Sequence, residues 1–138
     1  MFIRLPILLC LLALATAGCM SPRRQATAVL KTVGPAALRN EAAILYKDLF
    51  ASKAPDVVSV KNTEWRASFR AFEPKKVGAY SDGFALALQI DGDIESGLYV
   101  IPAQMDVKPR PKPGTRFEQI TDGIYWYTFT RKKRSSPL

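Results

Sequence analysis

The spacing of apolar residues after residue 34 predicts a helix. Apolar side chains recur there at three- and four-residue intervals, which puts them on one face of a helix over residues 35–51. That face consists of Leu38, Ala42, Leu45, Tyr46 and Leu49. Pro35 suits the first helical position because its φ is already helical and its missing N–H has no partner to lose there. We expect this apolar stripe to pack on a sheet, together with Trp65 and Trp126.

From residue 57 onward the apolar period shortens from helical to alternating, which predicts strands. The alternating or β-branched segments are residues 57–60, 65–72, 76–80, 84–90, 98–102, 116–120 and 124–129. Two Asp-Gly pairs, Asp82-Gly83 and Asp122-Gly123, are strong signals for hairpin turns. Residues 106–114, the proline-rich loop, hold three prolines and favour a stiff, extended conformation.

A helix followed by antiparallel strands predicts the α+β class. We expect one N-terminal helix packed on an antiparallel meander sheet of four to six strands. This outline resembles cystatin-like and nuclear-transport-factor-like domains, shapes that host many unrelated functions. The fold class therefore leaves the function open.

The first 18 residues have the pattern of a secretory signal peptide. Arg4 and the N-terminal amine make the start positive, residues 5–17 are mostly apolar, and small residues end the run. The apolar run is too short for a comfortable transmembrane helix, which needs about 20 residues. We therefore expect the protein to be exported.

The four residues "TAGC", which end at Cys19, resemble the lipobox of bacterial lipoproteins. In that family the cysteine thiol receives a diacylglycerol group, and the leader is cut just before the cysteine. The resemblance implies a lipid on Cys19, and Met20 in place of Asp implies the outer membrane, facing the periplasm. Ala15 and Ala17 also fit ordinary signal cleavage before Gly18, which would leave a soluble secreted or periplasmic protein.

These signals divide the chain into four parts. Residues 1–18 are the signal peptide, residues 19–34 the lipidated cysteine and a tether, residues 35–130 the α+β domain, and residues 131–138 a basic flexible tail.

A lipid also explains why a cysteine stands at position 19. Cys10 leaves with the leader, and secreted proteins avoid a free, unpaired thiol.

The formal net charge of +8 belongs mainly to the extremities of the chain. Half of the 20 basic residues lie in the leader, directly after it, in the proline-rich loop or in the tail, and the 12 acidic residues outnumber the rest. A nucleic-acid surface needs basic residues spread over one folded face, so no nucleic-acid partner is predicted. The tail favours contact with anionic lipid or polymer through residues 131–134.

The chain has no histidine, and its two cysteines both lie in the first 19 residues. This excludes Ser-His-Asp and Cys-His catalysis and the common zinc sites in the domain. Asp91, Asp93 and Glu95 alternate like the start of a calcium loop, but Ser96 and Pro102 stand where that loop needs Gly and Glu. We therefore predict no cofactor, no metal and no catalytic residue.

Two sets of side chains are candidates for a partner surface. Tyr125, Tyr127 and Phe129 share one strand face, and aromatic residues are enriched in recognition surfaces; core packing explains the same pattern. Arg66 and Arg70 lie on the polar face of an earlier predicted strand. They could bind a carboxylate or phosphate, or be solvated or paired with acids.

The sequence therefore predicts an exported, lipid-anchored small binding or scaffolding protein of the bacterial envelope, without catalysis. An envelope protein is the expected partner besides the membrane. Two alternatives stay open. One is a small secreted enzyme that uses Asp, Glu or Tyr. The other is an inhibitor or immunity-type protein that presents the proline-rich loop to an enzyme.

Overall fold

The structure is a computed structural model that describes residues 20–51 and 57–131. Within those ranges it has three helices, α1 (Pro22–Val33), α2 (Pro35–Phe50) and α3 (Ala67–Arg70), and none of them is long and apolar enough to span a bilayer. The strands are β1 (Val57–Val60), β2 (Lys76–Tyr80), β3 (Gly83–Asp91), β4 (Ile94–Val100), β5 (Thr115–Thr121) and β6 (Ile124–Thr130). The predicted signal peptide, the lipid site Cys19 and the predicted tail after residue 131 lie outside the described residues.

The six strands form one antiparallel sheet in the order β1-β2-β3-β4-β6-β5. The predicted α+β class with an antiparallel meander sheet is confirmed. The first four strands follow chain order, as strands joined by short connections usually do. The connection from β4 to β5 contains the proline-rich loop and carries the chain to the outer edge of the sheet. A hairpin then brings β6 back beside β4.

Tight turns close the hairpins at both predicted Asp-Gly pairs. Ser81 and Asp82 join β2 to β3, and Asp122 and Gly123 join β5 to β6. Gly123 has a φ of +70°, a conformation that residues with a Cβ rarely adopt. The two predicted turn positions are therefore confirmed.

The helix α2 covers one face of the sheet, and its bounds confirm the helix predicted over residues 35–51. Leu38, Ala42 and Leu45 are buried beneath it. The sheet side of this core consists of Val60, Val77, Ala79, Phe84, Leu86, Leu98, Val100, Ile124 and Trp126. Trp65 packs against the same core, as expected, although it stays half-buried.

Residues 20–34 differ from the expected tether because most of them form α1. Ala26 and Leu30 of this helix are buried in the same core as α2. The Ser21 Oγ accepts a hydrogen bond from the Arg24 N–H, which is an ordinary helix N-cap. Apolar residues at positions 26, 29, 30 and 33 have helical spacing, and burying them gives α1 its stability.

The predicted strand over residues 65–72 is wrong. The chain forms a short 3-10 turn at Asn62–Glu64 and then the single-turn helix α3. Local hydrogen bonds explain the difference, because the Arg70 N–H donates to the Arg66 carbonyl at 3.0 Å instead of to another strand. Phe69, one of the apolar residues in the alternating apolar and polar pattern that predicts a strand, is instead buried in the core from α3.

Candidate functional site

The face of the sheet opposite the helices carries a second cluster of aromatic side chains, which we call the aromatic face. Its buried members are Ala85, Tyr99, Ile101, Tyr125 and Tyr127, and Tyr80, Met105, Phe117 and Phe129 pack against them. Successive side chains of a strand point to opposite faces. Trp126 of β6 therefore enters the helix-side core while Tyr127 enters the aromatic face.

Strand register brings these rings together across neighbouring strands. Tyr99 of β4 pairs with Tyr125 of β6, and Tyr127 of β6 pairs with Phe117 of β5. The ring centroids of Tyr99 and Phe117 lie 5.0 Å apart in an edge-to-face arrangement, and those of Tyr99 and Tyr127 lie 6.4 Å apart. Both distances are in the range where aromatic pairs attract each other.

A cavity of about 390 Å³ opens on the aromatic face. Its aromatic walls are Tyr80, Tyr99, Phe117, Tyr127 and Phe129, and its other lining residues include Lys76, Glu95, Lys112, Pro113 and Thr115. Most of the exposed lining is apolar. The volume lies in the range of small-molecule sites, about 300–1,000 Å³.

The proline-rich loop contributes one side of this cavity through Lys112. The Lys112 ammonium lies 4.8 Å from the ring centroid of Tyr99, 5.3 Å from that of Tyr80 and 5.4 Å from that of Phe117. A cation at such distances is attracted by the negative face of an aromatic ring. Three rings and one ammonium therefore hold the loop against the sheet.

Asp82, in the turn between β2 and β3, is the counter-charge of Lys112. This carboxylate is only 4% exposed, and the Lys112 Nζ lies 3.2 Å from its Oδ2. It also accepts hydrogen bonds from the Arg110 N–H at 2.7 Å and from the Tyr99 hydroxyl. Burial alone would raise the pKa of Asp82, but the Arg110 and Tyr99 hydrogen bonds and the Lys112 charge together hold this pKa below its usual value.

Glu95 in β4 forms a second ion pair at the cavity. Its Oε1 lies 2.6 Å from the Lys76 Nζ, and its Oε2 accepts a hydrogen bond from the Tyr127 hydroxyl at 2.8 Å. Burial and the neighbouring Glu95 charge raise the pKa of Tyr127 far above its usual range. Burial likewise raises the pKa of Tyr99, with Asp82 adding to the effect. Both phenols therefore stay neutral at physiological pH.

The predicted aromatic residues come together on this face, in different roles. Tyr127 and Phe129 line the cavity. Tyr125 is buried among the other rings, with 8% of its surface exposed, and does not line the cavity. Whether a partner uses this surface stays a prediction.

Arg66 and Arg70 lie far from the aromatic face, and neither stands on a strand as predicted. Arg66 forms an ion pair with Glu41 of α2 at 3.4 Å. The groove beside it is also lined by the acidic residues Asp48 and Glu64, so its charge does not suit an anion. The Arg70 guanidinium donates to the carbonyls that precede α3 and so stabilises that turn.

Sequence reasoning missed the charged part of the site. The sequence marks Asp82 only as a turn residue and Lys112 only as one of the basic residues of the proline-rich loop. The contact between them joins residues 30 positions apart, and no local pattern marks it.

Of the acidic residues that alternate like the start of a calcium loop, Asp91 and Asp93 lie exposed at the β3–β4 turn. The described part of the chain brings no three potential metal-ligating side chains together.

Comparison with protein-family models, with curated proteins and with solved structures found no match to this chain. The outline shared with cystatin-like and nuclear-transport-factor-like domains therefore stays a prediction.

Proposed function

We propose that this chain is an exported, lipid-anchored binding protein of the bacterial envelope whose ligand site is the cavity of the aromatic face. The cavity is the observation that carries the proposal. Its volume and apolar lining suit a small molecule, and convergent polar groups at its edge, Lys76, Glu95 and Thr115, suit an oriented ligand.

The chemistry of the lining favours binding over catalysis. Glu95 in the lining, and Asp82 behind the lining residue Lys112, are each already engaged by a lysine and by a tyrosine hydroxyl. The raised pKa values of Tyr99 and Tyr127 keep these phenols from acting as bases at neutral pH. Asp82, whose pKa is held low, and these two phenols therefore provide no general acid or base that titrates near pH 7.

The start of α1 supports an anchor close to the domain. Pro22 begins the helix three residues after Cys19, and three extended residues span about 10 Å. A lipid on Cys19 would therefore hold the domain directly at the bilayer surface. Arg24 and Lys31 are exposed on this helix, and α1 has no acidic residue in its first turn, which suits an anionic surface.

The ligand site can be tested with N-phenyl-1-naphthylamine, a neutral apolar fluorophore that brightens when it leaves water. All described helices and strands lie after residue 20, so a chain of residues 20–138 contains every described element of the core. We expect saturable binding of one fluorophore per chain. Thr115→Trp at the cavity should abolish it, while Thr32→Trp on the exposed side of α1 should leave it unchanged. Non-saturable binding, or equal binding by both variants, would contradict the proposed site.

The anchor can be tested on protein purified from membranes. We expect an intact mass that corresponds to a diacylated chain starting at Cys19, and release of the protein by Cys19→Ala. Two or three acyl chains bind a bilayer stably, whereas the basic tail adds only about 1 kcal/mol per residue and is screened by salt. Deleting residues 131–138 should therefore leave the protein in the membrane fraction. Release by the tail deletion alone, or an unmodified mass starting at Gly18, would refute the lipid anchor.

A further inference from the structure

We infer that the cavity of the aromatic face takes an uncharged ring compound that carries hydroxyl groups, which is the chemistry of a sugar residue. This inference rests on the proposed function, because it assigns the ligand class of the same cavity. Three features of the lining lead to it: its charge balance, its unused hydrogen-bonding groups and its aromatic walls.

The charges around the cavity are already balanced in pairs. Lys112 is neutralised by Asp82 at 3.2 Å, and Lys76 by Glu95 at 2.6 Å. The Lys112 ammonium also donates to the Arg110 carbonyl, so its three donors are occupied. A charged ligand of either sign would have to break one of these pairs or enter without a counter-charge. Both choices are costly in an apolar site, so the charge balance favours a neutral ligand.

The cavity also holds hydrogen-bonding groups that the protein does not use. Tyr80 and Thr115 line it, and within the described residues the hydroxyl of neither forms a hydrogen bond. The Lys76 ammonium uses one donor on Glu95, and 54% of its side chain is exposed, so it keeps donors for a ligand. A purely apolar ligand would strip water from these groups without replacing its hydrogen bonds, which costs binding energy. A ligand with hydroxyl groups replaces them.

The aromatic walls supply the remaining part of the recognition. Phe117 on β5 and Phe129 on β6 line the cavity and are partly exposed, and the nearly buried Tyr127 lies beside Phe117 in the register. The face of an aromatic ring carries partial negative charge, and the C–H bonds of a saturated sugar ring carry partial positive charge. A sugar can therefore stack its C–H face on these rings while its hydroxyl groups reach the polar edge. For an envelope protein, such a ring would belong to a glycan of the envelope.

A matched series of sugars tests the charge argument directly. Glucose and N-acetylglucosamine are neutral, glucosamine is a cation and glucuronate is an anion, while the six-membered ring stays the same. We would titrate each into the chain of residues 20–138 and follow both NMR shifts and displacement of N-phenyl-1-naphthylamine. The neutral sugars should displace the fluorophore and shift resonances of the cavity residues. The charged sugars should bind at least about tenfold more weakly, because each lacks a free counter-charge.

Two tyrosine variants test the hydrogen-bonding argument. Tyr80→Phe removes one hydroxyl from the cavity and should weaken sugar binding about fivefold, as expected for one net hydrogen bond. Tyr46→Phe is the matched control. It removes the hydroxyl that donates to the Ser81 carbonyl at 2.9 Å, away from the cavity lining, and should leave sugar affinity unchanged.

The outcomes separate this inference from the proposed function. Equal or tighter binding of glucosamine or glucuronate overturns the neutral class. Saturable fluorophore binding with no response to any of the four sugars also overturns the sugar inference, but it keeps the ligand site. If neither the fluorophore nor a sugar binds, both proposals fail. Weaker binding by Tyr80→Phe together with a preference for the neutral sugars supports the inference.

Discussion

Asp82→Asn is the substitution that tests the contact between the β2–β3 turn and the proline-rich loop most directly. It keeps the shape of the side chain but removes the charge that Lys112 faces at 3.2 Å. In Asn, an NH₂ donor replaces one of the two carboxylate oxygens that accept hydrogen bonds. This donor would face the Arg110 N–H or the Lys112 ammonium, which are donors as well. The turn itself, formed by Ser81 and Asp82, should tolerate the change, because Asn and Asp are both favoured turn residues. Any loss of stability should therefore come from the contacts with the proline-rich loop.

The expected loss of unfolding free energy follows from how deeply the Asp82–Lys112 pair is buried. Asp82 is 4% exposed, whereas the Lys112 side chain is 23% exposed and can partly rehydrate. Removing one partner of a buried ion pair costs about 3–5 kcal/mol. The partial exposure of Lys112 places our expectation near the lower end, at about 3 kcal/mol. With a urea m-value of about 1.5 kcal/mol/M, the unfolding midpoint would fall by about 2 M.

Urea unfolding of the 20–138 chain, followed by tryptophan fluorescence, measures this change. Asp122→Asn is the matched control, because Asp122 also stands in an Asp-Gly hairpin but is 92% exposed and pairs with Arg39 at 3.3 Å. An exposed pair contributes little, so the control midpoint should hardly move. Adding Lys112→Met to Asp82→Asn should restore part of the stability, because no unpaired ammonium then remains. Equal midpoints for Asp82→Asn and Asp122→Asn would refute the assignment.

The pH dependence of unfolding gives a second, independent check. The pKa of Asp82 is lower in the folded chain than its ordinary value of about 3.9. Its stabilising contribution is therefore complete above about pH 4 and is lost as the pH falls through the lower folded value. The wild-type midpoint should fall in that acid range more than the midpoint of Asp82→Asn does. Parallel pH curves for the two chains would argue against a charged Asp82.

Three further substitutions test the packing. Trp126→Ala removes a large, nearly buried side chain from the helix-side core and should cost about 3–5 kcal/mol; an unchanged thermal melt would place Trp126 on the surface. Gly92→Ala and Gly123→Ala both force Ala into positive φ, at about 1 kcal/mol each. At Gly123 the new Cβ would also collide with the Nε of Arg39, whose hydrogen bonds to backbone carbonyls fix it in place, while nothing lies within 4 Å at Gly92. Differential scanning calorimetry should therefore show a clearly larger loss for Gly123→Ala, and equal losses would show that Arg39 moves freely.

Local signals were enough to predict much of the fold. The positions of Asp82-Gly83 and Asp122-Gly123 predicted two hairpins, because a tight turn needs residues that accept its backbone angles. The helical period after Pro35 predicted α2 to within one residue. These features depend on residues that are neighbours in sequence, so a pattern of a few positions carries the information.

The errors arose where short segments had two physically reasonable conformations. Apolar and polar side chains mostly alternate in residues 65–72, but alternation predicts a strand only if a neighbouring strand supplies hydrogen bonds. Here the Arg70 and Ala71 N–H groups find carbonyls one turn earlier, and α3 forms instead. The apolar period of α1 was visible in the sequence, but its burial depends on a core built by residues much later in the chain. Local hydrogen bonds decided the conformation of α3, and tertiary packing decided that of α1.

The charge of Asp82 links the stability of the fold to the shape of the proposed site. A hairpin turn alone does not require a carboxylate, since Asn would serve it equally well. The carboxylate is explained by the loop that it holds, because Arg110 and Lys112 both donate to it. That contact places Lys112 over the rings of the aromatic face, and Lys112 in turn lines the cavity. Asp82 in the turn and Lys112 in the loop thereby shape the same wall of the cavity. Asp82→Asn, which frees the proline-rich loop, should therefore weaken fluorophore binding as well as lower the stability of the fold. Trp126→Ala, on the other face of the sheet, would lose stability while the folded fraction still binds, and this contrast separates the shape of the cavity from the stability of the fold.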